Sequence, residues 1–147
     1  MSKLKFIETP TSQYFEDELG RLQGKHIEWY EFEDGYKCMK SLSFYKDDEM
    51  HGPFKRWFEN GKPQRFCTYV EDRLDGEYQR WHRNNKRKRH CFYKNTVLHG
   101  EYQRWDEDGE VEINRLYVDG KRLSCPIPTS EEDKFEICLK YGHMDFI

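Results

Sequence analysis

The chain has 147 residues, of which 36% are charged and 16% aromatic, and its formal net charge is −3. Leu, Ile, Val and Phe together make up about 20% of the residues, the edge of the range for disorder, but the small net charge and the many aromatic rings exclude a disordered chain. The absence of alanine disfavours a mostly helical fold, and no apolar stretch approaches the roughly 18 residues of a membrane span.

The N-terminal segment, residues 1–23, is predicted to cap a sheet. Residues 3–7 (KLKFI) have the composition of a short first strand, and residues 8–20 read as irregular. Tyr14 and Phe15 are expected to fold onto the first hairpin and cover the edge of the sheet, because an uncovered edge invites association.

A six-residue phrase then repeats along the chain. GEYQRW occurs at residues 76–81 and again at 100–105, 24 residues later. Residues 52–57 read GPFKRW, and residues 24–29 are a degenerate copy that keeps the Gly and the Trp. Self-similarity at a fixed period is the signature of a repeat architecture, so residues 24–123 are predicted to form about four repeats.

Each repeat is predicted to be a β-hairpin. The turn pairs Asn60-Gly61, Asn84-Asn85 and Asp108-Gly109 lie between aromatic-rich runs and favour a two-residue type I′ turn. With such a turn and no bulge, each repeat glycine faces a tyrosine: Gly52 with Tyr69, Gly76 with Tyr93, and Gly100 with Tyr117. An aromatic ring over a bare glycine protects exposed backbone, which would explain why the two residues recur together.

From about residue 24 to residue 123, the chain resembles the MORN-repeat variant family. The resemblance rests on the pattern Gly-x-(Tyr/Phe)-x-x-Trp-x-x-(Asn/Asp)-Gly, followed by Tyr and then by (His/Asp)-Gly. The resemblance implies an all-β fold in which hairpins lie side by side in one elongated, single-layer antiparallel sheet. Repeats of this family serve many roles, and variant copies occur in large DNA viruses of amoebae and in antitoxin-like bacterial proteins. The departures here are four extra residues in the first copy, Asn85 in place of Gly, and Ser124 where the next glycine would fall.

Residues 124–147 are predicted to be a linker and a C-terminal helix. Pro126 and Pro128 end the strand pattern, and Ser130 has the position of an N-cap before acidic residues that suit the first turn of a helix. Phe135 and Leu139 share one face with Cys138. We expect residues 130–141 to cap the last hairpin; the alternative is a docking helix for another protein.

Two aromatic rows are the predicted partner-binding residues. Positions five and two of the repeat differ in parity along one strand and therefore point to opposite faces. One row is Trp57, Trp81 and Trp105, and the other is Phe54, Tyr78 and Tyr102. A contiguous exposed aromatic patch usually marks an interface.

The third repeat is strongly basic. Its anion-binding candidates are Arg80, Arg83, Lys86, Arg87, Lys88 and Arg89. Such a cluster can bind phosphate in anionic lipid, phosphoprotein or nucleic acid, and the family resemblance lends support to phospholipid. The alternative is an internal ladder in which these cations pair across strands with Asp106 and Glu107 of the next hairpin.

No catalytic or cofactor motif is found. His26-Ile27-Glu28 has the H-x-E spacing of zinc deaminases but lacks the accompanying C-x-x-C. His51 and His99 precede repeat glycines and read as turn residues rather than as a metal pair. The five cysteines are widely spaced, which gives neither a zinc site nor a redox pair. The sequence therefore predicts no enzyme, no metal, no cofactor and no small-molecule substrate.

Together these features predict a non-enzymatic scaffold that presents its sheet to other proteins, for example as a structural or minor capsid component of a large DNA virus. The alternatives are a peripheral binder of anionic phospholipid through the basic hairpin and an antitoxin-like inhibitor of a partner protein. Nucleic acid is the less favoured partner. The unpaired cysteines and an N-terminus without the apolar core of a signal peptide predict an intracellular, reducing compartment, either the cytoplasm or a virion.

Overall fold

The structure is a computed structural model that describes residues 3–147, and within them it has twelve strands and one helix. The strands of the N-terminal half are β1 (Lys5–Glu8), β2 (Ser12–Glu16), β3 (Leu22–Glu31), β4 (Lys37–Lys46), β5 (Glu49–Met50), β6 (Gly52–Trp57) and β7 (Pro63–Val70). The C-terminal half holds β8 (Arg73–Trp81), β9 (Arg87–Lys94), β10 (Val97–Trp105), β11 (Val111–Val118), β12 (Lys121–Arg122) and α1 (Glu131–Tyr141).

The strands belong to one open antiparallel sheet, which confirms the predicted fold class of serial hairpins followed by a C-terminal helix. The chain divides into two compact units, Met1–Arg73 and Leu74–Ile147. In the first unit the paired order is β1-β2-β3-β4-β6-β7, and β5 also pairs with β4; in the second it is β8-β9-β10-β11-β12.

The first repeat absorbs its four extra residues by lengthening. Gly24 still faces Tyr45, and the chain turns between Phe32 and Tyr36. β3 and β4 each have ten residues, whereas β6 and β7 have six and eight. The insertion is therefore shared between the two strands of the hairpin, and the register of the repeat is kept.

The hairpin tips lie where the sequence predicts them, but the predicted turn type is wrong. The Gly61 N–H donates to the Phe58 carbonyl at 2.9 Å, and the Phe58 N–H donates to the Lys62 carbonyl at 2.8 Å. Gly61 has a φ of 77°, while Asn60 does not have a positive φ. This is a three-residue loop in which one left-handed residue ends the turn, rather than a type I′ turn that needs two.

The predicted register is nevertheless confirmed, because a second irregularity compensates for the longer turn. Beyond the loop, Trp57 faces Pro63, and then Gln64 is passed over so that Arg56 faces Arg65. This β-bulge shifts the pairing by one residue. The Gly52–Tyr69, Gly76–Tyr93 and Gly100–Tyr117 pairs result in the three repeats.

True two-residue turns with two positive φ values occur at the other end of the hairpins, between repeats. They are Asp47-Asp48, Glu71-Asp72, Asn95-Thr96 and Asp119-Gly120. Most of these residues are not glycine, so each turn carries backbone strain. Hydrogen bonds to the preceding repeat offset it: the Met50 N–H donates to the Asp72 carboxylate at 2.7 Å, and the Asp72 N–H donates to the Met50 carbonyl at 3.0 Å.

Replacing Asn85 by Gly is expected to stabilise the second unit. Asn85 has a φ of 70° at the turn position that Gly61 and Gly109 occupy in the other repeats, and glycine adopts this region without steric cost. We expect a gain of about 0.5–1 kcal/mol, measured as a rise in urea midpoint.

Asn84→Gly is the matched control for this change. The Asn84 side chain accepts from the Lys86 N–H at 3.0 Å and donates to the Glu107 carbonyl at 2.8 Å. Glycine at this position should therefore lower stability. Equal effects of the two substitutions would contradict the assignment of the turn.

The repeat glycines are required by their backbone angles. Gly52, Gly76 and Gly100 have φ values of 123°, 92° and 124°, which L-residues rarely adopt. The tyrosine opposite each glycine packs on the position-two aromatic ring, as in the Phe54–Tyr69 pair at 6.1 Å between centroids. The predicted shielding of a bare glycine by the tyrosine is therefore not needed to explain why the two residues recur together.

The C-terminal helix is confirmed, and Ser130 caps it by accepting from the Asp133 N–H at 3.0 Å. The helix does not use its predicted face, however: Phe135 and Leu139 are 63% and 71% exposed. The segment after the helix covers the last repeat instead. Met144 is buried, and the Asp145 carbonyl accepts from the Glu101 N–H at 2.9 Å.

Candidate functional site

The two aromatic rows lie on opposite faces, as the sequence predicts. Phe54 contacts the side chain of Arg65, whereas Trp57 packs edge-on against Phe66 at 5.8 Å. Adjacent residues of a strand point to opposite sides of the sheet. The β-bulge between Arg56 and Trp57 does not bring the rows together, because its extra residue is on the neighbouring strand.

Two of the three position-two aromatic rings are covered by arginine. The guanidinium carbon of Arg65 lies 4.4 Å from the centre of the Phe54 ring, and that of Arg89 lies 4.6 Å from the centre of the Tyr78 ring. Phe54 and Tyr78 are only 8% and 4% exposed. These two predicted partner-binding residues are therefore core residues of a thin sheet, since arginine takes the place of a second layer. Tyr102 is half-buried.

The tryptophan row remains accessible. Trp57, Trp81 and Trp105 are each half-buried. Their backbones are held in place: Tyr30 donates to the Trp57 carbonyl at 3.2 Å, and His82 Nε2 lies 2.9 Å from the Trp105 carbonyl. The tryptophan surface is defined here as Trp81 and Trp105 of the second unit, which occupy equivalent positions in adjacent repeats.

Comparison with known families agrees with this architecture. The MORN repeat variant profile matches residues 50–71, 74–95 and 98–119, and in the structure each match covers one hairpin and ends at the first residue of the two-residue turn that follows it. Residues 50–119 of the chain are three tandem copies of the MORN repeat variant. Its first hairpin, residues 22–46, has the same register with longer strands but lies outside the matched segments.

Whole-chain comparisons add little to the MORN assignment. None of the curated proteins matches the sequence. Among solved structures, TarM is similar over 82% of this chain at 15% identity and a TM-score of 0.30. This chain spans about one fifth of TarM, and the two superpose too poorly for the likeness to bear on function.

The basic third MORN repeat does not form the predicted ladder with the acidic tip of the next one. Among residues 3–147, no carboxylate lies within salt-bridge distance of Lys86, Arg87 or Lys88; Lys86 Nζ donates to the Asp108 carbonyl at 2.7 Å. The Asp106 carboxylate accepts backbone N–H groups of its own turn, at 2.9 Å each. The paired part of β9 and β10 ends at Arg89 and Arg104, before the tip cations and these acids are reached.

The register places three arginines of the second unit in one row. Arg80 faces Arg89, and Arg89 faces Arg104 on the next strand. In the first unit Arg56 faces Arg65 in the same way. Of the predicted anion-binding residues, Arg80 and Arg89 are thus brought together, while Arg83, Lys86, Arg87 and Lys88 are exposed at and beside the tip. Arg56, Arg65 and Arg104 were missed, although arginine recurs at position four of the repeat.

The thiol and phenol groups beneath the arginines are shielded from water. Burial raises the pKa of Cys91 to about 11 and that of Tyr93 to about 12. Burial also raises the pKa of Cys67 at the equivalent position of the preceding repeat. Neutral thiols are poor nucleophiles, so these cysteines are packing residues.

His90 makes the stability of the second unit depend on pH. Burial lowers the pKa of His90 and outweighs the Glu77 carboxylate, which lies 2.7 Å away and acts to raise it. The unfolded chain therefore binds a proton more readily than the folded one below the ordinary histidine pKa of about 6.5. We expect the melting temperature to fall between about pH 7 and pH 5, as measured by circular dichroism.

The His90→Gln variant should show a shallower decline over this range, because its position-90 side chain does not titrate. His26, whose pKa burial also lowers, is present in both proteins and cancels in the comparison. Identical slopes for the two proteins would rule out His90 as the titrating group.

Within residues 3–147, no cluster of His, Cys, Asp and Glu has the geometry to hold a metal ion. No helix of the described chain has the length and apolarity required to cross a membrane.

Proposed function

We propose that this MORN-repeat protein is a non-enzymatic scaffold that holds other proteins on its tryptophan surface. The half-buried state of Trp81 and Trp105 carries this proposal. Part of each indole stays accessible to a partner, and large aromatic side chains are enriched at the centres of protein interfaces.

The test is capture of binding partners from the native source, identified by mass spectrometry. Trp105→Ala should abolish capture of partners that the unmodified protein retains and leave the melting temperature little changed. Tyr36→Ala is the matched control, because Tyr36 is an aromatic residue that is 64% exposed at a hairpin tip of the first unit. Undiminished capture by Trp105→Ala, or a large loss of stability, would assign the indoles to the fold alone.

The second candidate is a peripheral binder of anionic phospholipid. Its support is the exposed tip cations Lys86, Arg87 and Lys88, which have no carboxylate partner among the described residues. The unmodified protein would then bind phosphatidylserine vesicles with an affinity that falls steeply with salt, and reversal of the three cations to glutamate would remove binding. Vesicle binding that survives the reversal would reject this candidate.

Two narrower settings fit the scaffold and rest on the family resemblance: a structural component of a large DNA virus particle, and an antitoxin-like inhibitor. The identity of the captured partner decides between them. A capsid protein supports the first, a toxin enzyme supports the second, and in either setting we expect an intracellular site of action.

A further inference from the structure

The arginine row of the second unit, defined as Arg80, Arg89 and Arg104, is unusual because like charges face each other directly. Such pairs destabilise a sheet unless something offsets them. Arg89 is partly accounted for, since it covers the Tyr78 ring. Arg80 contacts no ring and no carboxylate among the described residues. Contact with an aromatic ring therefore accounts for Arg89 but not for Arg80.

The Nε atoms of Arg80 and Arg89 are buried and have no hydrogen-bond partner among residues 3–147. The same is true of Arg56 and Arg65 in the first unit. Buried unpaired donors are uncommon in proteins. Their recurrence at the same two positions of successive repeats marks a built feature of the sheet rather than an isolated defect.

The β-bulge residues of the first and last hairpins show what these arginines lack. In the last hairpin, Arg104 Nε donates to the carboxylate of the bulge residue Glu112 at 2.7 Å. In the first hairpin the bulge residue Lys40 lies 3.8 Å from the carboxylate of Glu28, which holds the same strand position as Arg104. The bulge residue therefore pairs with the side chain at position four in both hairpins.

The third repeat has no such partner. Its bulge residue is Lys88, a cation placed where Glu112 stands in the next repeat. Arg80 and Arg89 consequently lie beside Lys88 with no carboxylate of the described chain within salt-bridge distance. The Glu112–Arg104 pair shows the ligand chemistry that this position accepts, namely a carboxylate bound by a guanidinium.

We propose that the arginine row binds an acidic segment of a partner protein, whose Asp or Glu carboxylates pair with Arg80 and Arg89 as Glu112 pairs with Arg104. This surface is on the face opposite the tryptophan surface, so the inference goes beyond the proposed scaffold contact and does not depend on it. The carboxylate is favoured over phosphate because a carboxylate already occupies the equivalent site in the next repeat.

The test uses a labelled oligoglutamate peptide and the full chain, with binding followed by fluorescence anisotropy at low and physiological salt. Arg80→Gln with Arg89→Gln should weaken binding about tenfold or more, since each loses a charge-assisted contact. Lys86→Gln with Arg87→Gln removes the same charge at the exposed tip and should change affinity less than about threefold.

Two single substitutions test the proposal without replacing an arginine, so a folding defect in the arginine variants would not affect them. Lys88→Glu supplies an internal carboxylate to the row and should abolish peptide binding without loss of stability. Glu112→Gln frees Arg104 and should tighten binding severalfold. Opposite shifts of this kind are not expected from a purely structural row.

The proposal would be overturned if the unmodified protein did not bind oligoglutamate. It would also be overturned if the peptide affinity of each variant depended only on the net charge of the protein, whichever arginine or lysine was replaced. Binding of phosphatidylserine vesicles or of an oligonucleotide without binding of oligoglutamate would also overturn it, in favour of a phosphate ligand. Trp105 lies on the other face, so the two proposals can fail separately. If Trp105→Ala loses partner capture while the unmodified protein binds no oligoglutamate, the scaffold proposal stands and only the proposal for the arginine row is rejected.

Discussion

Replacing Gly100 by Ala is expected to cost about 3–6 kcal/mol of unfolding free energy. A Cβ at this position would lie 2.6 Å from the Asp145 carbonyl oxygen and 3.2 Å from Cβ of Phe92. Backbone strain at a φ of 124° accounts for about 1–3 kcal/mol. The remainder comes from displacing the segment after the helix, residues 143–147, called here the tail. Its displacement breaks the Glu101–Asp145 hydrogen bond and exposes Met144.

Gly76→Ala is the control for this substitution, because Gly76 holds the same repeat position but, within the described part of the chain, an added Cβ would meet no atom within 4 Å beyond its two chain neighbours. It should show the backbone cost alone, about 1–3 kcal/mol. Urea unfolding measures both variants. Equal losses would show that the tail adds nothing to the stability of the last repeat.

Tyr78→Ala is expected to cost about 3–5 kcal/mol, the usual range for removing a buried aromatic ring. Tyr78 is 4% exposed and packs against Tyr93 at 5.6 Å between centroids, beneath Arg89. Removing the ring also exposes Tyr93. The pKa of Tyr93, which burial raises to about 12, should therefore fall toward the ordinary value of about 10, as measured by ultraviolet titration at alkaline pH.

Tyr102→Ala provides the comparison, since Tyr102 is half-buried at the same repeat position. It should cost less than Tyr78→Ala and leave the Tyr93 titration unchanged. A Tyr78→Ala variant as stable as Tyr102→Ala would show that the arginine cover does not create a core around Tyr78.

The repeat register was predictable from sequence because residues such as Gly52 and Tyr69 recur together at constant spacing. The turn type was not, since Asn60-Gly61 suits both a two-residue type I′ turn and a three-residue loop that ends in a left-handed glycine. Only the β-bulge at Gln64 distinguishes the two turn types, and no feature of the local sequence predicts that bulge. The type I′ turns lie at pairs such as Glu71-Asp72, where hydrogen bonds to the previous repeat override poor turn propensity.

The candidate surfaces were predictable only in part. The odd spacing between Phe54 and Trp57 correctly predicted that they lie on opposite faces of the sheet. The burial of each side chain, however, depends on what covers its face. No pattern in the sequence indicates that Arg65 and Arg89 lie over the neighbouring aromatic rings. The expected pairing of Lys86 with the Asp106 carboxylate failed because that carboxylate accepts N–H groups of its own turn, an arrangement that depends on backbone geometry rather than on charge.

The tail has a consequence for the order in which the protein forms during synthesis. Paired strands in each unit are close in sequence, so a hairpin can close soon after its residues leave the ribosome. The contacts of His99 with His143 and of Glu101 with Ile147 instead span 44 and 46 residues. We expect the last repeat to remain incomplete until the tail emerges, so that the tail acts as a latch on a nascent chain whose earlier hairpins are already formed.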